Sequence, residues 1–541
     1  MITVKNFALF SCSLCCLVSG VEALDIVSIP QPRSVTDAPG QFNLSSTATI
    51  AAGKELHNEL IFLGTALKKF GMQVKTAPDT SARFVLKVGD IPGKEAYKLT
   101  ISPRQVIIRG SDPAGVFYGI QTLLQQMEDA SGKGIKNLDC GIVEDSPRYG
   151  WRGFMLDEAR HFFGKEKVLQ ILDNMAKYKL NKFHWHLTDE PGWRMEIKKY
   201  PKLATVGGQG SWSRPNDKNV RYYTQAEIRD IIKYAADRHI EIIPEIDMPG
   251  HATAANKAYP EYSGGGTKDH PEYTFNPGKE QTYSYLTDIL QEVAHIFPSP
   301  YIHLGGDEVA FASKSWDDIS EVQQLKEKEK LKSNKDVERY FVHRMTDNLN
   351  KKIGKTAIGW DEMLEVHAPQ DQTILMWWRH DRVPILKKAL EAGYRTILSP
   401  RRPLYFDFTQ HQSHKWGRTW NGFCPLQDVY EFPDKGLEQW KIPSDQQKLI
   451  MGVQANVWTE RIDTPKRLDF MIWPRLCAVA ESGWTAPEVK NYDNFRKRME
   501  NAYASFDKQG IYYFDERDPS RTPEPVGCNK DNKVIPMDFR D

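Results

Sequence analysis

Between residues 151 and 484, short apolar runs alternate with stretches whose apolar positions recur every three or four residues. These are the signatures of buried strands and of half-buried helices. The runs fall at 154–156, 182–187, 241–246, 301–304, 356–359, 373–376, 394–398 and 451–457. Helical spacing follows most of them: Val168, Ile171, Leu172, Met175 and Ala176 share one face, as do Ile228, Ile231, Ile232, Ala235 and Ala236. The second of these helices opens on Thr224-Gln225-Ala226-Glu227, a capping box. Eight strands, most with a helix behind them, predict an α/β fold, a (β/α)8 TIM barrel over residues 148–490. A doubly wound open sheet is the alternative, but no Gly-rich phosphate loop follows any strand.

The flanks read differently. Residues 24–147 form a small α+β domain, with a strand at 84–88, strands at 97–101 and 106–108 around Ser102-Pro103-Arg104-Gln105, and a helix at 114–127. This domain carries no cluster of catalytic residue types, so its expected role is to pack against the barrel. Residues 491–541 read as a helix over 492–510 and an irregular tail. Leu325 to Lys332, with alternating Lys and Glu, reads as a solvated face. Residues 1–23 read as a signal peptide: Lys5 precedes an apolar stretch over 7–18, and Val21-Glu22-Ala23 fits a cleavage site. The stretch is too short to span a membrane, and no later run reaches the roughly 18 apolar residues that a span needs. Secretion is therefore expected. Lipid attachment at Cys12 is the weaker alternative, because the apolar run before it is short.

Charge and composition narrow the function. The chain has 541 residues and a formal net charge of +1, which gives no bulk attraction to nucleic acid. Beyond the signal segment lie Cys140, Cys424, Cys477 and Cys528, which allow at most two disulfides and contain no C-x-x-C pair for zinc or redox chemistry. Nine of the 14 Trp fall between Trp360 and Trp484, a concentration of flat apolar surface on which sugar rings stack. Trp473 and Trp484 flank a helix and read as packing instead.

In a barrel of this kind the active site lies at the C-terminal ends of the strands. Those ends hold Asp157, Asp189-Glu190, Asp247 and His251, Asp307-Glu308, Trp360-Asp361-Glu362, Trp377-Trp378-Arg379, Tyr405-Phe406-Asp407 and Trp458-Thr459-Glu460, with Arg152 just before the first strand. Carboxylates mixed with indoles describe a polar pocket suited to a pyranose. Gly305-Gly306-Asp307-Glu308 is the sharpest feature. Two glycines allow a close backbone approach, and adjacent carboxyls repel, which raises one pKa as a general acid requires. Adjacent residues cannot straddle a sugar as acid and nucleophile, since that pair must sit roughly 5 Å apart across the bond. A mechanism in which the substrate's own acetamido group attacks removes the difficulty. His184-x-His186 places two imidazoles on one strand face, and with His251 and Asp307 it would draw a metallohydrolase site. The competing reading, which needs no metal or other cofactor, is that these histidines bond neighbouring carboxylates.

Several of these stretches resemble glycoside hydrolase family 20, the β-N-acetylhexosaminidases: Arg152-Gly153-Phe154-Met155-Leu156-Asp157, His184-Trp185-His186-Leu187-Thr188-Asp189, Pro249-Gly250-His251 and His303-Leu304-Gly305-Gly306-Asp307-Glu308. Trp360-Asp361-Glu362 and Trp458-Thr459-Glu460 resemble it too, and the similarity runs from the small domain to about Trp484. The resemblance implies an exo-acting retaining enzyme that releases terminal GlcNAc or GalNAc through an oxazolinium intermediate. It makes Glu308 the acid/base, Asp307 the partner of the acetamido N–H and Tyr405 the donor to the acetamido carbonyl. Trp360, Trp378 and Trp458 then wall the acetamido and ring pocket. Arg152, Glu460 and Asp407 hold the far hydroxyls, and Asp189 with His251 tunes the acid. Arg401 and Arg402, ahead of Tyr405, read as surface charge at the rim.

Overall fold

The computed structural model describes residues 26–419 and 422–528. The expected signal peptide, residues 1–23 with Cys12, lies outside them. The small domain is built from β1 (Ser34–Asn43), β2 (Thr47–Ala52), α1 (His57–Lys69), β3 (Gln73–Thr76), β4 (Phe84–Val88), β5 (Tyr97–Ile101), β6 (Val106–Gly110), α2 (Pro113–Gly132) and β7 (Asn137–Asp145). Its strands make one mixed sheet in the order β1-β7-β5-β6-β4-β2-β3. Helix α2 starts cleanly because Pro113 occupies its first turn and the Asp112 side chain accepts from the Gly115 amide. Nearly all of α2 from Gly115 to Met127 is buried. The helix is enclosed by its own sheet and by the barrel, on which Tyr118 meets Trp484 with ring centroids 5.0 Å apart.

The barrel strands are β8 (Trp151–Asp157), β9 (Lys182–His186), β10 (Glu241–Glu245), β11 (Tyr301–His303), β12 (Thr356–Trp360), β13 (Thr373–Trp377), β14 (Thr396–Leu398) and β15 (Ile450–Val457). They close in sequence order, all parallel, with β15 pairing back onto β8 from Gly452–Trp151 to Val457–Leu156. Each overlaps one of the eight runs read from the sequence. The two amphipathic patterns become α3 (Lys165–Lys177) and α4 (Gln225–Ala236), and both hydrogen bonds of the Thr224–Glu227 capping box are present. The charged stretch near Leu325 lies at the end of a helix, Ser320–Glu329, whose Val322 and Leu325 turn inward. It is therefore solvated on one side only.

The small domain seals the N-terminal end of the barrel through buried charge. Lys179 and Asp145 pair at 3.1 Å with both side chains almost fully buried. Tyr97 and Trp484 donate to the same Asp145 carboxylate. Trp473 and Trp484 are buried packing residues, as their sequence setting implied. Cys140, Cys424, Cys477 and Cys528 are free thiols, the first three buried. Helix α5 (Tyr492–Gln509) closes on Gly510 in the left-handed conformation, and the chain then returns to the barrel. Among the described residues no helix is long and apolar enough to cross a membrane.

Candidate active site

At the C-terminal ends of the strands lies a cavity of about 570 Å³ lined by Asp189, His251, Asp307, Glu308, Trp360, Trp378, Tyr405, Asp407, Trp458 and Glu460, together with Arg160, Arg401, Phe408 and Arg418. Every expected site residue but Arg152 is in this lining.

The backbone after β11 presents the two carboxyls. Gly305 and Gly306 have φ of 67° and 90°, and Glu308 itself has φ 52°. A Cβ on Gly305 would lie 1.8 Å from Asp247 Oδ1, so only glycine fits this turn against β10. Left-handed geometry at a glutamate costs of order 1–3 kcal/mol, which the surrounding packing must hold in place. Asp307 and Glu308 do not face each other alone. His251, also at positive φ, puts Nε2 3.4 Å from Asp307 Oδ2 and 3.5 Å from Glu308 Oε2. Burial opposes a charge on His251, but Tyr273 and the carboxylates of Asp189, Asp307 and Asp247 outweigh it and hold its pKa well above the usual range. An imidazolium thus sits between the pair. Like-charge repulsion acts on neighbouring carboxyls. Asp247 is pushed well up by burial and by Asp307, and Glu362 by burial, Asp361 and Asp307.

Behind His251 the contacts continue into the barrel interior. Its Nδ1 lies 3.1 Å from Asp189 Oδ1, and Asp189 Oδ2 lies 2.6 Å from His186 Nε2. Burial would raise the Asp189 pKa, but Arg160 and His251 draw it well below the carboxylate range. Glu245 bonds His186 Nδ1 through Oε2 and accepts from the Trp360 indole on Oε1, with His184 Nε2 2.9 Å from Oε2 and His303 Nδ1 3.0 Å from Oε1. Burial lowers His184 to about 4 against the pull of Glu245, so it is neutral near pH 7. Three groups of described residues lie close enough to share an ion: His184-Glu245-His303, Asp189-Asp247-His251 and His251-Asp307-Glu308. None combines the His184-His186 pair with His251 and Asp307 as the metallohydrolase reading required. The two strand histidines instead bond Glu245.

Aromatic rings form the pocket walls. Trp378 and Tyr405 lie parallel, 8° apart in plane with centroids 6.3 Å apart, and Trp458 leans on Tyr405 at 6.0 Å and on Trp360 at 5.8 Å. The Trp378 indole donates to Glu362 at 2.9 Å and the Trp360 indole to Glu245 at 3.1 Å. Asp361 accepts from the amides of Trp378 and Arg379. The acidic residues after Trp360 therefore anchor the walls and do not line the cavity. Oδ1 of Asp307 is buried and accepts from no donor among the described residues.

Charge gathers at the other end of the cavity. Arg418 pairs with Asp407 at 2.7 Å and with Glu460 at 3.0 Å. Burial pushes Asp407 up to about 6 despite Arg418. Burial would raise Glu460 as well, but Arg418 and Arg160 bring it below its ordinary value.

Arg152 is the expectation that the structure overturns. As the second residue of β8 it lies at the N-terminal mouth of the barrel, fully buried, paired with Glu95 at 2.8 Å and donating to the Lys179 carbonyl and the Tyr118 hydroxyl. It joins the domains and does not reach the pocket. The arginine that does is Arg160, three residues beyond the strand end. Its guanidinium pairs with Asp189 at 2.6 Å and lies 5.0 Å from the Trp458 ring centroid. The rule that strand ends carry the site could have found Arg160. Arg418, on the excursion after β14, leaves no such signal. Arg401 is not surface charge: it is buried, 4.8 Å over Trp378 and paired with Asp381 at 2.8 Å.

Comparison with known proteins gives the same placement. Residues 149–487 match the family model described as "Glycosyl hydrolase family 20, catalytic domain", and residues 26–146 match "Glycosyl hydrolase family 20, domain 2". A β-hexosaminidase of Porphyromonas gingivalis is 33% identical over 93% of this chain and 68% of its own. Among solved structures, an exo-β-N-acetylglucosaminidase of Vibrio harveyi, in complex with N-acetylglucosamine, has a TM-score of 0.82 at 30% identity, covering 91% of this chain and 78% of that one. A mutant Streptomyces plicatus β-hexosaminidase in complex with the product GlcNAc has a TM-score of 0.78 at 30% identity, covering 92% and 98%. With a two-domain match, a closed parallel barrel and paired carboxyls in an indole-walled cavity at its C-terminal end, the chain belongs to glycosyl hydrolase family 20 and is a glycoside hydrolase of the β-N-acetylhexosaminidase type.

Proposed function

We propose that this enzyme is exo-acting and retaining, and that it releases terminal, non-reducing β-linked GlcNAc or GalNAc from oligosaccharides or glycoconjugates with the substrate's acetamido group as nucleophile. The observation that carries the reading is Asp307 Oδ1, a buried acceptor without a donor among the described residues, in a cavity walled by Trp360, Trp378, Tyr405 and Trp458. An acetamido N–H fits that acceptor, and the aromatic walls fit its methyl group and the sugar ring.

Chemistry follows from these positions. Glu308 protonates the glycosidic oxygen while the acetamido carbonyl oxygen attacks the anomeric carbon, forming the oxazolinium ring and breaking the bond to the leaving group. The box holds nucleophile and electrophile together, so little entropy is lost in the attack. The ring is cationic, and the Asp307 carboxylate stabilises it as charge develops. The Tyr405 hydroxyl donates to the carbonyl oxygen and orients it. Water then enters on the face that the leaving group vacated, gives a proton to Glu308 and opens the ring, so two inversions leave the β-configuration. Asp189 and His251 hold the acid/base in place. Arg160, in the role first given to Arg152, joins Arg418, Asp407 and Glu460 around the far hydroxyls. Export through residues 1–23 belongs to the same proposal.

The test is hydrolysis of 4-nitrophenyl β-GlcNAc by the purified chain, with the product anomer followed by NMR. The β-anomer should appear first, a GlcNAc-thiazoline should inhibit, and EDTA should have no effect. An α-anomer as first product, or turnover indifferent to the thiazoline, would remove acetamido participation.

Asp407 supplies a pH dependence. Its carboxyl titrates near 6, so above that pH Arg418 is held by two carboxylates and below it by Glu460 alone. At pH 5 about one Asp407 in ten remains ionised, so KM for 4-nitrophenyl β-GlcNAc should rise by up to about tenfold between pH 7 and pH 5. Asp407→Asn should flatten that step. A KM that is level across the interval in the unaltered enzyme would separate Asp407 from sugar binding.

A further inference from the structure

The last described segment, residues 511–528, touches the loop that carries Arg418. Its Glu524 side chain is mostly buried, and its carboxylate takes the amide of Lys415 at 2.5 Å on Oε2 and the amide of Trp416 at 3.1 Å on Oε1. Oε1 also accepts from Nη1 of the fully buried Arg467 at 3.1 Å. Arg467 is itself fixed, donating through Nε to the Arg461 carbonyl, while Arg461 reaches the Gly417 carbonyl at 3.3 Å. Next along the loop comes Arg418. Its amide donates to the Asp407 carbonyl and its carbonyl accepts from Thr409, so the backbone is pinned on both sides of the side chain that spans Asp407 and Glu460. Four residues after Glu524, the Cys528 thiol donates to the Glu460 carbonyl at 3.1 Å. Gly527 passes so close that a Cβ there would come within 2.8 Å of the Trp416 Cβ. One stretch of chain thus grips both carriers of the charged end of the pocket.

We infer that Glu524 is a positioning residue for sugar recognition: by holding the amides of Lys415 and Trp416 it sets the place of the Arg418 guanidinium, and through it the hydroxyl-binding end of the cavity. The inference rests on the proposed reading that Arg418, Asp407 and Glu460 bind the sugar's far hydroxyls. Charge-assisted bonds from two peptide amides to one carboxylate are short and directional, and the Arg467 guanidinium behind them braces Oε1. Loss of the carboxylate frees the loop two residues from Arg418, while Asp307, Glu308 and the aromatic box are anchored on other elements. The effect belongs in binding and in discrimination at the hydroxyls.

The experiment compares the full chain with Glu524→Ala and Glu524→Gln on 4-nitrophenyl β-GlcNAc and β-GalNAc, which differ only in configuration at C4. For Glu524→Ala, KM should rise about tenfold with kcat within about twofold, and the ratio of kcat/KM for the two sugars should shift at least about threefold. Glu524→Gln keeps the shape without the charge and should fall between. It also decides the matter if Glu524→Ala does not fold. A lowered melting temperature with KM and the sugar ratio unchanged, or a fall in kcat alone, would overturn the inference and leave Glu524 a structural brace. An unaltered enzyme that hydrolyses neither sugar overturns the proposed function itself, and this inference with it.

Discussion

Glu308→Gln is expected to lower kcat on a β-linked chitobiose-type disaccharide by roughly 10³–10⁴-fold, the upper range of what a positioned acid/base contributes. The amide keeps the volume and the left-handed backbone of the turn, so the loss reports the missing proton and not a rebuilt site. Glu308 reaches its place because Gly305 and Gly306 carry the chain past Asp247, and His251 stands 3.5 Å from its Oε2. A raised-pKa imidazolium beside the carboxylate fixes its orientation and balances the charge that appears once the acid has given up its proton. The discriminating measurement is leaving-group dependence. The second sugar of the disaccharide leaves as a poor alkoxide and needs full protonation, whereas 2,4-dinitrophenolate leaves unaided, so the variant should lose far less on the aryl glycoside. Equal losses on both would take the proton-donor role away from Glu308.

The barrel could be read from the chain because its interior imposes a local pattern. Each parallel strand is buried on both faces and so appears as a short apolar run, followed by the 3.6-residue period of its covering helix. Edge strands of the small domain have no such pattern. Most of β1 and all but one residue of β3 are polar or exposed, and neither shows a clean alternation. Asp307-Glu308 could be read for the same local reason: a glycine pair, two acids and a strand end lie within four residues. Arg152 failed because likeness to a motif overrode position. It lies five residues before the strand end, about 17 Å along the strand at roughly 3.3 Å per residue, and only the far end of a barrel strand faces the site. Arg418 and Glu524 could not be found this way. One sits in an excursion without periodicity and the other about a hundred residues later, and only the folded chain brings them together. The same holds for His251, whose Pro-Gly setting marked it as notable but gave no hint that its imidazole would stand between both carboxyls. The buried histidines were legible as alternatives only, since strand alternation puts His184 and His186 on one side without naming the Glu245 that receives them.

Asp307→Asn carries the second large effect, a fall in kcat of about 10²–10³-fold, comparable to removing one preorganised group from a developing charge. Asp307 is set among ionisable neighbours. Burial raises the pKa of Asp247 and Glu362, the Asp307 charge adds to it, and His251 lies 3.4 Å from Oδ2. That leaves Oδ1, buried and without a donor among the described residues, as the atom facing the acetamido group. Asparagine can still meet the substrate N–H through its amide oxygen, so ground-state binding should change little. What it cannot do is offset the positive charge of the oxazolinium ring, which exists only after the attack has begun. Affinity for a GlcNAc-thiazoline, which mimics that ring, should therefore fall by about the same factor as kcat, while affinity for free GlcNAc stays within a few fold. The substitution also removes a negative charge beside Asp247 and Glu362, so both should release their protons at lower pH and the pH profile should shift with them. A variant that loses kcat but keeps full thiazoline affinity would show that Asp307 only shapes the pocket, and the stabilisation of the cation would have to be assigned to another group.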